Sequence, residues 1–364
     1  MRRTRALIAG GGPAGSVAGM LLARGGAMPL VLERSATPQD ALCGGFLSWR
    51  TLETLGAVGV DPATLGGHVV RRVALFAGHR HAGAMLPAPA IGLSRRRLDA
   101  VLIDHARDAG AAVERGVAVR SAAERELRTG DGATITGDAL FLATGKHDLR
   151  GLARPPVRDT DPAMGVRVRL AAAPGLARAV GDAIELHLFD GGYVGLVLQE
   201  DGSANLCMAV RRSRLTASGD LPGLLRALAV EAPALGERMA YMEQGTAIDA
   251  VANVPYGWRT GVTTPGIFRL GDQAGVIPSL AGEGMGIAIA SGVRAATAFL
   301  RHGPDAATGY QRDLARALRR PLGVAGAIRA LAERRVGGRL LLAGAGLRGL
   351  MALAASATRI GHGD

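Results

Sequence analysis

An α/β fold is predicted, with an antiparallel sheet inserted into it and a helical tail at the C-terminus. Three observations predict it. A short apolar strand, Arg5–Ala9, runs into a glycine cluster and then a helical pattern. Four alternating runs in the middle of the chain are separated by Gly/Asp turns. After Asp305 the pattern is helical throughout.

Composition sets the bounds. At 364 residues, 48% hydrophobic and 20% charged, the chain reads as globular, with two domains as the prior. Its 54 glycines are about twice the usual share of roughly 7%. Cys43 and Cys207 stand far apart with no CxxC, which argues against a disulfide scaffold or thiolate zinc site, and no metal site is expected. Aromatics at 3% argue against a stacking platform for single-stranded nucleic acid. The formal charge is +12 and Lys146 is the only lysine, an arginine bias that a GC-rich genome would produce. Ten arginines against Asp313 and Glu333 place about +8 of that charge between Arg312 and Arg359. The body is nearly balanced, so nucleic acid is not an expected partner.

Two stretches mimic membrane signals. The apolar run after Arg5 is cut by Gly10-Gly11-Gly12-Pro13, too early for the apolar core of a signal peptide. Leu340–Ala357 is apolar except for Arg348, short of the ~20 residues that span a bilayer, and reads as a buried or interfacial helix. A cytoplasmic protein is expected, in contact with a membrane surface at most through its tail.

The elements follow in order. Arg5–Ala9, Pro13–Arg24 and Met28–Glu33 make a βαβ start. Thr51–Leu55 and Leu98–Asp108 read as helices, Val69–Ala77 and Ala139–Ala143 as strands. Val166–Leu170, Ala183–Leu188, Tyr193–Gln199 and Asn205–Val210 are the alternating runs of the inserted sheet. Arg212–Met239 is helical in pattern, Gly266–Leu270 returns to strand, and Gly284–Arg301 is a helix.

The first glycine cluster is G-x-G-x-x-G: Gly10, Gly12 and Gly15, followed by Gly19. Gly10 permits a tight turn, Gly12 removes a side chain where a pyrophosphate approaches the backbone, and Gly15 lets helix pack on strand. The helix N-terminus presents free N–H groups to phosphate. Glu33 ends the second strand, 18 residues after Gly15, where an acid binds an adenosine ribose. This Rossmann-type motif alone leaves NAD and FAD open.

The second cluster is Gly271-Asp272-Gln273-Ala274-Gly275, then Pro278, then Gly282-Glu283-Gly284-Met285-Gly286 leading into a helix. It resembles the GD signature of the flavoprotein superfamily that holds aromatic hydroxylases (group A flavoprotein monooxygenases), geranylgeranyl reductases and flavin-dependent halogenases. The resemblance covers most of residues 1–300. It implies FAD, with Asp272 accepting from ribityl hydroxyls. It also turns the Gly282–Gly286 backbone and a helix N-terminus toward the flavin pyrimidine edge, where reduced flavin is negative. Ser94-Arg95-Arg96-Arg97-Leu98-Asp99 with Leu102 is similar to the family's R-x-x-F-D-x-x-L and implies Arg95 near the ribityl-phosphate. Cys43-Gly44-Gly45-Phe46 is similar to the Cys-Gly segment of the geranylgeranyl reductases, beside the flavin ring. Cofactor contacts are therefore expected from Gly10, Gly12, Pro13, Ala14, Gly15, Glu33, Arg34, Cys43, Gly44, Arg95, Thr144, Gly145, Gly271, Asp272, Pro278, Gly284, Met285 and Gly286. The implied architecture is an FAD-binding domain (1–66, 90–160, 260–305), a substrate domain (67–89, 161–259) and C-terminal helices (306–364).

Departures from the family bear on activity. Thr144-Gly145-Lys146 stands where aromatic hydroxylases carry Asp-Gly, which argues for slow reduction by NAD(P)H without a partner reductase. Gly275 replaces the hydroxylases' histidine and is reductase-like. Tyr193 keeps the first residue of the reductases' Y-x-W-x-F-P, but Gly195 takes the Trp position and Leu198 the Pro position. No lysine matches the one in halogenase active sites. Cys43 and Tyr193 are the catalytic candidates; His187 is a second candidate to line the pocket, and His79 and His81 share a possible strand face without a third ligand.

The leading expectation is an FAD-dependent monooxygenase acting on an apolar aromatic or lipid-like molecule. A flavin-dependent reductase of carbon–carbon double bonds is the alternative, and an electron-transfer flavoprotein without a small-molecule substrate the third. The basic, partly apolar tail is expected either to pack on the body with its arginines solvated or to meet an anionic membrane surface or an acidic carrier protein. On the second reading, truncation after Asp305 leaves FAD bound.

Overall fold

The computed structural model describes residues 2–156, 159–243, 245, 248–347 and 349–361. Arg348 lies outside them. In chain order the elements are β1 (Arg2–Ala9), α1 (Pro13–Arg24), β2 (Pro29–Glu33), β3 (Phe46–Leu47), α2 (Trp49–Ala57), β4 (His68–Ala77), β5 (Arg80–Gly92) and α3 (Arg95–Asp108). Then follow β6 (Ala112–Arg115), β7 (Val119–Ala123), β8 (Glu126–Thr129), β9 (Thr134–Leu142), β10 (Ala163–Leu170), α4 (Pro174–Val180), β11 (Ala183–Phe189), β12 (Gly192–Leu198) and β13 (Ala204–Arg211). The chain continues through α5 (Arg212–Ala217), α6 (Leu221–Glu231), α7 (Pro233–Met239), β14 (Asp249–Val251), β15 (Ile267–Arg269) and α8 (Gly284–His302). It closes with α9 (Ala306–Ala332), α10 (Arg335–Ala345) and α11 (Leu350–Ala357).

Two sheets organise these elements. The first runs β6-β2-β1-β9 in parallel, with β15 beside β9 and the β7–β8 hairpin extending β9 antiparallel. Its central strands are apolar on both faces because α1, α8 and α9 cover one side, through Ile8, Phe141, Phe268 and Phe299, while Leu7, Leu32, Leu140 and Leu142 fill the other. The second sheet has the order β14-β10-β13-β12-β11-β4-β5-β3. Its β10–β13 register pairs Val166 with Met208, and β12–β13 pairs Gly195 with Cys207. The inserted sheet is not wholly antiparallel: β11 runs parallel to β4, because β4 and β5 come from an earlier excursion of the chain and meet β11 only in the fold.

Side-chain alternation splits the second sheet into two faces. Val168, Val194, Leu196, Leu206 and Met208 pack under α6 and α7 against Leu224, Leu228 and Leu235. The opposite face carries Tyr193, Gly195, Asn205, Cys207 and Ala209 toward the first sheet's loops. The helical pattern over Arg212–Met239 resolves into three helices. Asp220 caps α6, its carboxylate accepting from Gly223 N, and Pro233 starts α7.

The tail is part of the body. From α9, Tyr310, Leu314, Leu318 and Leu322 enter the same core as Phe141 and Phe268, and Ile360 joins them. Ala332, Leu342 and Ala345 pack on Val73, Leu75, Leu186, Leu188 and Tyr193. Truncation after Asp305 would strip both cores, so the expectation that such a fragment keeps its cofactor is withdrawn. Arg312, Arg316, Arg319, Arg320, Arg334, Arg335 and Arg339 are exposed, whereas Arg329 is half-buried and the Arg359 side chain is buried.

Candidate active site

The site is assembled where β1, β2, β9 and β15 end. Gly10 has φ +104°, and a Cβ there would lie 2.5 Å from Ala143 O. A Cβ on Gly15 would fall 1.9 Å from Gly10 O, so glycine is required for α1 to start against β1. Gly12 caps α1, with Pro13 as the first helical residue and Ala14 buried behind it. The Glu33 carboxylate accepts Gly11 N at 2.8 Å and Ser35 N at 2.8 Å, tying β2 to the glycine loop. Arg34, next along, pairs its Nη2 with His147 Nε2 at 2.8 Å.

Arg95 begins α3 and lies over that loop: a Cβ on Gly12 would sit 3.3 Å from Arg95 Nη2. Asp99 holds the guanidinium with two bonds, at 2.8 and 2.7 Å, and both side chains are mostly buried. Although burial opposes it, Asp99 together with the nearby Cys43 and Asp272 drives the Arg95 pKa further up, so a fixed cation faces the loop. Asp99 is itself pushed up by burial, against the pull of Arg95.

The GD segment forms a short 3-10 turn, Gly271–Gln273, and Gly271 has φ +54°. Asp272 Oδ2 lies 3.4 Å from Lys146 Nζ. Chiefly through Asp272, the Lys146 ammonium is held above its ordinary range. Sequence reasoning missed the residues that fasten this turn. Gln273, fully buried, donates to Gly145 O at 2.8 Å and His147 O at 3.1 Å. Arg154 donates to Asp272 O at 3.0 Å and Lys146 O at 2.8 Å, and Ser291 accepts Gly271 N at 2.8 Å. None carries a motif signal; only the fold brings them together. Thr144 is spent on its own turn, its hydroxyl donating to His147 O at 2.6 Å.

Cys43 meets the inserted sheet: Asn205 Nδ2 donates to Cys43 O at 3.2 Å. Its influence is felt at Arg95, Lys146 and Cys207, so the structure gathers Cys43, Arg95, Lys146 and Asp272 into one cluster beneath β13. Burial pushes the Cys207 thiol far up, which keeps it neutral. The Tyr193 hydroxyl bonds Ser279 Oγ at 2.7 Å and accepts Leu280 N at 3.2 Å, and burial raises it well above the usual phenol range. Tyr193 thus anchors the segment after Pro278. His187 points the other way: it lies beside Val194 on the helix-covered face, bonded to Glu185 Oε2 at 3.1 Å and stacked on Phe76 at 4.5 Å. It does not line the pocket. His81 also stacks on Phe76.

The residues present fit a flavin dinucleotide. Glycines 10, 12 and 15 keep a backbone cradle clear, and a Cβ on Gly44, Gly145 or Gly284 would meet nothing within 4 Å. Asn205 Oδ1 and Gln273 Oε1 are buried without a hydrogen-bond partner among the described residues, and each can take a ligand donor. Met285 is buried at the start of α8, and Gly286 admits no side chain because a Cβ would meet Glu283 Oε1 at 2.6 Å.

Residues 3–150 match the FAD binding domain family. The chain is 30% identical over 180 residues to Protein FixC of Escherichia coli, an alignment covering 44% of this chain and 42% of FixC, so less than half of that relative is represented. It is 27% identical over 309 residues to menaquinone reductase of Mycobacterium tuberculosis, covering 80% of this chain and 75% of that one. In fold it is similar to Pseudomonas aeruginosa PqsL, crystallised with 2-aminobenzoylacetate: TM-score 0.74, 18% identity, 93% of this chain and 100% of PqsL. With the dinucleotide cradle and the GD turn in place, the class of site follows: residues 3–150 form an FAD binding domain.

Proposed function

We propose that the chain is an FAD-dependent monooxygenase whose substrate is an apolar aromatic or lipid-like molecule, bound between the inserted sheet and the GD turn. The observation that carries this reading is the character of the sheet's inner face. Around β12 it is apolar, built from Leu186, Leu188, Tyr193 and Ala209 with Leu280 beside them and Leu342 and Ala345 of α10 packed on them. Cys207 and Tyr193 on that face are both held neutral by burial, the tyrosine hydroxyl is committed to Ser279 and Leu280, and Arg167, opposite Cys207 on β10, is paired with Asp40 and Asp249. Saturating a carbon–carbon double bond needs a proton delivered to carbon as well as a hydride, and none of these groups is poised to give one. Oxygen transfer asks the roof only to exclude water and orient an apolar ring. FAD, when bound, supplies the electrons and the oxygen activation. Arg95 and the Gly10–Gly15 loop would hold its phosphates, Glu33 its adenosine ribose and Asp272 its ribityl chain. Lys146 and Cys43 would lie along the cofactor. Gly195, where reductases carry tryptophan, leaves room for the substrate.

The second reading, reduction of a carbon–carbon double bond, is favoured by Cys43-Gly44 and by the similarity to menaquinone reductase over 80% of the chain. One experiment separates them: reduce the flavin anaerobically, add candidate apolar substrates, and ask whether product forms before oxygen is admitted. Product without oxygen ends the monooxygenase reading.

No single helix among the described residues is long and apolar enough to cross a membrane. The tail's outer face nevertheless exposes Val336, Leu340, Leu347, Leu350 and Leu353 among Arg334, Arg335 and Arg339. That mixture supports contact with an anionic lipid surface, each basic residue contributing about 1 kcal/mol. Sedimentation with anionic vesicles at low salt tests it. Absence of binding there, with capture of an acidic carrier protein instead, would favour the carrier.

A further inference from the structure

The last residues of the tail return to the start of α8. Arg359 Nη1 lies 3.2 Å from Glu283 Oε2 and donates to Ala281 O at 2.5 Å. Its guanidinium sits over the Trp49 ring, 5.0 Å from the centroid. Ile360 N donates to Glu283 Oε1 at 3.3 Å, and Ser48 Oγ donates to Oε2 at 3.0 Å. Glu283 is wholly buried and immediately precedes Gly284-Met285-Gly286. An acid enclosed beside a helix start is costly unless a cation is enclosed with it. The chain supplies that cation from 76 residues downstream. Arg238, also buried, serves the inserted sheet through Glu185; Arg359 reaches the segment that the family resemblance turns toward the flavin.

We propose that Arg359 is a positioning residue for the flavin: it clips the tail onto residues 281–286 and offsets the Glu283 charge beside the cofactor's pyrimidine edge. The proposal rests on the FAD reading of the site. Two consequences follow from charge alone. Removing Arg359 takes the cation from beside Glu283, and where the carboxylate stays ionised it disfavours the anionic reduced flavin, so the flavin midpoint potential moves negative. Removing the Glu283 charge leaves Arg359 uncompensated, and the potential moves positive.

The test uses the full chain reconstituted with FAD, at pH 8, in four forms: wild type, Arg359→Gln, Glu283→Gln and the double variant. Arg359→Lys is added as the conservative rescue. Midpoint potentials are read by dye-linked reductive titration and FAD affinity by titration of apoprotein. The expected result is a positive shift for Glu283→Gln and, for Arg359→Gln, at least tenfold weaker FAD binding with a negative shift that grows as pH is raised and Glu283 ionises. The double variant returns toward wild type and Arg359→Lys restores the potential. A purely structural tether lowers thermal stability but produces no shifts of opposite sign. If Arg359→Gln does not fold, the Glu283→Gln shift and its reversal in the double variant decide the matter. A wild-type chain that takes up no FAD overturns the cofactor reading and this proposal with it. A wild type that binds FAD, with potentials unmoved in the variants, overturns this proposal alone.

Discussion

Single side chains carry the sharpest expectations. Asp272 faces Lys146 at 3.4 Å and would exchange that partner for ribityl hydroxyls. Asp272→Ala should weaken FAD retention by about 1–3 kcal/mol, read by titrating apoprotein with FAD; unchanged affinity would remove Asp272 from the site. Gly195 is a different test. A Cβ there would lie 3.7 Å from Leu186 Cδ2, ordinary contact, so the backbone accepts a side chain. Gly195→Trp should keep the flavin spectrum and abolish turnover by filling the space under β12; full turnover would place the substrate elsewhere. Glu283 gives a pH prediction. Burial raises its carboxyl to about 7, against the pull of Arg359 and Ser48. A raised folded-state value means the stability it contributes is present below the unfolded value of 4.5 and is lost as pH rises through 7. The loss should approach about 3 kcal/mol between pH 4.5 and 8. Thermal melts across that window should show the decline in wild type and a flatter profile in Glu283→Gln; parallel profiles would contradict it.

At the scale of elements, legibility followed the range of the interactions. The βαβ start, the GD turn and the four runs of the inserted sheet declare themselves because their causes are local: glycines that must be glycines, and alternation imposed by one buried face. β5, β6, β7 and β8 lack a comparable signal. β5, for instance, carries Pro87 and Pro89 and takes strand form through its pairing with β4. The tail was legible as helix, and packing on the body was one of its two expected roles. α9 and α10 complete two hydrophobic clusters while the arginines of α9 and α10 that face outward stay exposed. Truncation after residue 305 should therefore yield insoluble or unfolded protein, measured by circular dichroism and yield. A folded, yellow fragment would show that the body is independent.

For the molecule as a whole, the electron donor is the open chemical question that the fold frames. Thr144-Gly145-Lys146 replaces Asp-Gly, and the Thr144 hydroxyl is tied to His147 O within its own turn. Direct reduction by NADPH should be slow, well below ordinary turnover of about 10 per second. Stopped-flow bleaching of the flavin near that rate would refute the need for a partner reductase.

The sequence by itself determined the cofactor class and the α/β class of the body. A dinucleotide cradle is written in side chains that must be absent, and absence of a Cβ at fixed spacing needs no tertiary context to be read. Tertiary structure alone decided what surrounds that cradle. Gln273 and Arg154 fasten the GD turn, His187 turns away from the pocket while Tyr193 closes it, and Arg359 meets Glu283 across 76 residues. Those pairings depend on which face of a strand is turned inward and on where a distant helix ends. They are long-range contacts between residues of ordinary type, and only the folded chain brings them within bonding distance.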